Sequence, residues 1–159
     1  MKRAISLLLV LLVGLGLAAG QDKKKDKAIL PTLVVRAQYV YVTTYDGPDT
    51  SPDVLPADRQ AFVAVQDAIR QWGKYRLTSR ERDADLILLV HSTTTSGPNS
   101  RVDDELTVFQ GSSGLNSSPL WRGMAAGGLQ GPSPALVQHL RADVEEAEKA
   151  LQEQKKQKP

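Results

Sequence analysis

Residues Asp83–Thr95 read DADLILLVHSTTT: two aspartates, five consecutive apolar residues from Leu86 to Val90, then a histidine and a run of hydroxyls. Apolar side chains at every position, rather than at alternate ones, mark a strand that is buried on both faces. Such a strand belongs inside a sheet, and the rest of the chain must supply its neighbours and its cover. The same stretch raises a question of chemistry, because Asp83, Asp85 and His91 could rim an active site. Residues 85 and 91 are six apart, however, which in an extended strand is roughly 20 Å. They cannot serve one reacting centre. The aspartates are read instead as turn residues that satisfy backbone amides at the strand's start.

Upstream, Leu33–Thr44 (LVVRAQYVYVTT) is rich in β-branched and aromatic residues and reads as one long strand. Leu33, Val35, Ala37, Tyr39, Tyr41 and Thr43 would share one face. Asp46-Gly47-Pro48 ends it. Ala57–Trp72 places Phe62, Val65, Ile69 and Trp72 at the three-four spacing of an amphipathic helix, with Gly73 as its C-terminal stop. Lys74–Thr78 reads as a short strand and Asp85–Ser92 as the buried one.

Downstream, Thr93–Asp104 is a polar loop and Glu105–Gln110 an alternating strand. Leu120–Arg122 is the return strand of a hairpin with a long loop. Met124–Pro132 reads as a flexible connector. Ser133-Pro134 opens a last helix with a hydroxyl cap and a proline at its first position. Its apolar stripe is Leu136, Val137, Leu140, Val144, Ala147 and Leu151. The order β-α-β-β-β-β-α predicts an α+β fold, a single domain with an antiparallel or mixed sheet of about five strands and both helices on one face. The second face of the buried strand then needs cover from long loops or from a dimer partner.

The ends of the chain speak to location. Lys2 and Arg3, the apolar run Ile5–Leu17 and the small residues Ala18-Ala19-Gly20 have the pattern of a secretory signal over residues 1–20, cleaved before Gln21. At 13 residues the apolar run is short of the roughly 20 needed to cross a bilayer, so no integral span is expected after cleavage. The chain has no cysteine. That rules out disulfides, thiolate metal sites, thiol nucleophiles and lipid attachment through an N-terminal cysteine. Export without disulfides fits a bacterial periplasm, or secretion from such a cell.

Lysines gather in two short tails, residues 21–28 and 154–159, both expected to be disordered, with the folded domain at residues 29–153. Between Ala28 and Glu148, 9 arginines and one lysine face 15 acids, five net negative charges. An acidic body with basic ends is a poor nucleic-acid binder, since phosphate contacts need a basic face.

Three short motifs carry a resemblance: Trp72-Gly73-Lys74-Tyr75, Ala84-Asp85 with the apolar run Leu86–Val90, and Leu120-Trp121-Arg122-Gly123. Their order and spacing resemble a family of small exported bacterial domains of unknown function, many of them lipoproteins. The resemblance implies an envelope compartment and an α+β fold. It implies no activity, and this chain lacks the lipoprotein cysteine.

No stronger constellation appears. His139 flanks the last helix, and the two histidines have no HExxH-like spacing, so no metal site is expected. Asp103-Asp104-Glu105 lacks the alternation and glycine of a calcium loop and reads as a solvated acidic turn. Gly111-Ser112-Ser113-Gly114 is not a nucleophile elbow, and Gly123–Gly128 lacks a Walker lysine. No catalytic residue and no cofactor are therefore assigned. Candidate interaction residues are Trp121 and Arg122, types favoured at binding hot spots, and the tyrosines Tyr39 and Tyr41. The expectation is a non-enzymatic envelope module that binds an envelope protein or polymer. Two alternatives are a hydrolase with loop-borne carboxylates such as Asp46 and Asp103, and a structural protein that self-associates, as a homodimer for instance, through the last helix's stripe or an edge strand.

Overall fold

The computed structural model describes residues 30–48, 50–94 and 101–157. The signal read at residues 1–20, the tail at 21–28 and the middle of the loop after Thr94 lie outside the described residues. The element order is α1 (Thr32–Arg36), β1 (Tyr39–Thr44), α2 (Pro56–Trp72), β2 (Arg76–Leu77), β3 (Leu86–Thr94), β4 (Val102–Gln110), β5 (Trp121–Ala126) and α3 (Ala135–Gln157). Short 3-10 turns, Glu81–Asp83 and Gly111–Ser113, precede β3 and follow β4.

The five strands form one mixed sheet in the order β2-β1-β3-β4-β5. β1 runs parallel to both β2 and β3, while β3, β4 and β5 form an antiparallel meander. The apolar segment thus occupies the central strand. Its sides alternate: Leu86, Leu88 and Val90 join the main core with α1, α2 and α3, and Ile87 and Leu89 join a smaller cluster on the opposite side. Among the described residues all three helices lie on one face and none on the other, and the fold is a two-layer α+β domain.

One expected strand is partly a helix. Thr32–Arg36 forms a turn and a half of α-helix after Pro31, where β-branched composition had pointed to strand. Burial decides the matter. Val34 and Val35 are buried against the main core, and Tyr75 Oη donates to the Val34 carbonyl at 2.8 Å. Local propensity for strand is weak beside such packing. Only Tyr39–Thr44 remains extended, so Leu33 and Val35 do not share a sheet face with the tyrosines.

Other boundaries moved outward. β3 and β4 reach Thr94 and Val102, which shortens the expected loop between them. β5 continues through Ala126 into the segment read as a connector, and α3 extends to Gln157, into the segment read as a tail. Gly73 does stop α2: it adopts φ +73° and its N–H returns to the Ile69 carbonyl, a left-handed cap that a side chain would strain.

Candidate functional site

The two faces of the sheet are differently equipped. On the helix-free face, Tyr41 packs on Ile87, Leu89 and Phe109. Thr43 and Thr107 stand opposite Leu89 in register on either side of it, and both are buried. Next to this apolar group runs a polar row. His91 lies opposite Glu105, and Glu105 opposite Met124. Arg122 donates to Glu105 Oε2 at 2.6 Å, and the Thr107 hydroxyl to Oε1 at 2.7 Å. Tyr45, just past β1, sets its ring edge-on to His91 at 4.9 Å between centroids.

These neighbours set the Glu105 carboxyl. Burial pushes its pKa up, but the hydrogen bonds from Arg122 and Thr107, with the charges of Arg122 and His91, outweigh that and hold it below its ordinary range. In return Glu105 holds the Arg122 guanidinium more firmly charged. Tyr39 and Met124 stand at the margins of this face, 40% and 63% exposed.

At one end of the sheet the polar groups go inward. β1 stops at Thr44, opposite Val90, so beyond that point β3 has no strand on its β1 side. Asp58, from the first turn of α2, fills the gap: its Oδ1 accepts the Ser92 N–H at 2.5 Å. Asp58 is fully buried, and its Oδ2 has no partner among the described residues. His91 Nδ1 lies 3.7 Å from Asp58 Oδ1, too far for a hydrogen bond, and Nε2 is 2.9 Å from Thr93 Oγ1. On the helix side the Ser92 hydroxyl donates to Asp104 Oδ1, and the Leu129 N–H to Oδ2. Ser92 thereby links two buried carboxylates.

The structure separates the residues that the sequence set side by side. Asp83 pairs with Arg80, Asp85 accepts the N–H groups of Gln38 and Tyr39, and His91 faces Asp58. Asp85 thus does the ordinary work of an acid at a strand start. The acidic triplet is not a solvated turn, which is a correction: it lies within β4 and alternates, with Asp103 bound by Arg101, Asp104 fully buried, and Glu105 on the open face.

Trp121 and Arg122 part company across β5. The Trp121 ring lies over Gly123, whose missing Cβ makes room for it, and Nε1 donates to Asp143 on α3. Exposed His139 meets that ring edge-on and lies near Asp143. Trp121 therefore belongs to the helix side, and only Arg122, Tyr39 and Tyr41 share the open face.

Sequence reading missed Asp58 and Asp104, since an acid in a helix's first turn or in a polar run looks ordinary. It also missed Glu105 as the Arg122 partner, although period-two alternation through β4 would have placed it. Among the described residues no group of three His, Asp or Glu side chains is arranged to hold a metal ion. A groove of about 630 Å³ runs along the solvent side of α2, between Val63 and Pro132. Its charged residues Arg59 and Asp67 are already engaged, by the Ser51 and Val54 carbonyls and by Arg70.

No protein-family model and no curated protein matches the chain. Among solved structures it is similar to a PelC dodecamer from Paraburkholderia phytofirmans, at 16% identity over 63% of this chain and 78% of that one, with a TM-score of 0.33. An overlap of that size carries no argument about this chain.

Proposed function

We propose that this protein is an exported, non-enzymatic binding module whose working surface is the helix-free face of the sheet. One observation carries the reading. The apolar cluster of Tyr41, Ile87, Leu89 and Phe109 lies on the face away from the three described helices, and it adjoins the paired charges of Glu105 and Arg122. An apolar centre beside oriented polar groups is the anatomy of a protein-binding surface. Export and an envelope location rest on the N-terminal sequence pattern, and the partner class is an envelope protein or polymer.

The test is affinity capture from envelope extract with three baits: the unaltered chain, a Tyr39→Ala/Arg122→Ala form, and a Val63→Ala control on the solvent side of α2. An enriched component that is lost with the double variant and kept with the control supports the reading. A component retained by all three baits, or repeated capture of nothing, contradicts it.

A second reading is a hydrolase, favoured by the order Asp58, His91, Thr93, in which a buried acid faces an imidazole that contacts a hydroxyl. Thr93 follows His91 by two residues on one strand face, which by itself accounts for their contact. Hydrolysis of an activated ester by the intact chain, abolished in His91→Ala, would support this reading; no turnover above the His91→Ala level would dismiss it.

A further inference from the structure

β5 closes one side of the sheet, and its backbone directions follow from the pairing. The Gly127 N–H bonds to the Val102 carbonyl, and Ala125, Gly123 and Trp121 lie opposite Asp104, Leu106 and Val108. In an antiparallel ladder these alternate residues turn both backbone groups toward their partner strand. Arg122, Met124 and Ala126 therefore turn their N–H and C=O groups outward, away from β4. The same three residues place their side chains on the open face, and all three are exposed. The opposite edge, β2, is only two residues long.

β5 lacks two of the devices that protect free edges. It contains no proline and no lysine. Its one charge, Arg122, is neutralised by Glu105 on the neighbouring inner strand.

We infer that β5 is a self-complementary edge that pairs antiparallel with β5 of a second copy, about a two-fold axis at Met124. Symmetry and charge select this register. With the axis at Met124, all three outward-facing residues find outward-facing partners: Met124 meets Met124 of the partner subunit, and Arg122 meets Ala126 of the partner subunit. Each such pair exchanges two hydrogen bonds. A shift of the axis to Gly123 leaves only two pairs, and a shift to Arg122 leaves one and sets arginine against arginine. The favoured register joins two five-stranded sheets into one, with the open faces continuous across the axis. This inference is independent of the binding reading, because it concerns the edge and not the face.

The chain's lack of cysteine supplies the test. Directly paired residues in a hydrogen-bonded position have Cα atoms about 5.5 Å apart, within the span of a disulfide. Under mild oxidation, Met124→Cys in the chain from Gln21 to Pro159 is expected to give a covalent dimer, while Val63→Cys, exposed on α2, gives none. Sedimentation of the unaltered protein at two concentrations is expected to show dimer mass. Met124→Pro, which removes only an outward N–H, and Met124→Lys are expected to sediment as monomers with unchanged circular dichroism. A monomer at both concentrations in the unaltered chain would overturn the inference. So would a dimer that survives both variants, or equal cross-linking at residues 63 and 124.

Discussion

Leu88 and Leu89 sit next to each other on β3, 0% and 3% exposed, yet they are buried by different means. Leu88 points into the layer between sheet and helices, where residues of all three helices meet. Leu89 points the other way, where Ile87, Phe109 and Tyr41 are its apolar company. The difference teaches that burial alone does not say what a face is for. One face is covered by the three described helices; the other carries a smaller cluster with no helix over it among the described residues.

Substitutions should separate the two faces in order of cost. Leu88→Ala removes methyl groups from a site locked between layers and is expected to cost about 3–4 kcal/mol, read as a lower denaturation midpoint. Asp104→Ala strands the Ser92 hydroxyl and the Leu129 N–H in a buried setting and is expected to cost about 2–3 kcal/mol. If it proves neutral, the polar seam beneath the helices contributes nothing to holding β3 and β4 together.

Tyr75→Phe deletes one buried hydrogen bond to Val34, at an expected cost of about 1 kcal/mol. The Tyr75 phenol should also stay un-ionised far into alkali, since burial first, and then the charge of Glu148, push its pKa up. An ultraviolet pH titration that shows all four tyrosines ionising together before unfolding would contradict that packing.

The smallest effect is expected on the open face. Glu105 has its pKa lowered in the fold from the ordinary 4.5. A depressed carboxylate stabilises fully above the unfolded value and loses that contribution as pH falls through the folded one. Glu105→Gln should therefore lower stability slightly at neutral pH, with the gap to the unaltered chain closing below about pH 4.5. A gap that widens in acid would reverse the assigned sign.

How much of this was legible in the sequence follows the same division. The central position of Leu86–Val90, the amphipathic α2 with its Gly73 stop, and the placing of both long helices on one face were all readable from periodicity. The short helix at Thr32–Arg36 was not, because its formation depends on Val34 and Val35 packing against elements far along the chain. The buried roles of Asp58 and Asp104 were equally hidden. Asp58 is buried where β1 ends two residues before Ser92's level on β3, and Asp104 where it stands opposite Ser92 on β4, neither of which any local pattern announces. Trp121 and Arg122 are neighbours on one strand, so period-two alternation puts them on opposite faces. It could not say which would join Tyr39 and Tyr41.

The most direct test of the contrast between the faces is a pair of urea unfolding curves, for Leu88→Ala and Leu89→Ala, measured against the unaltered chain. Leu88→Ala is expected to lose about 3–4 kcal/mol and Leu89→Ala about half as much, because a small cluster with no described helix over it can relax around a smaller side chain. Equal losses at the two positions would mean that the open face is packed as tightly as the helix side, and the account of it as a surface awaiting a partner would fall.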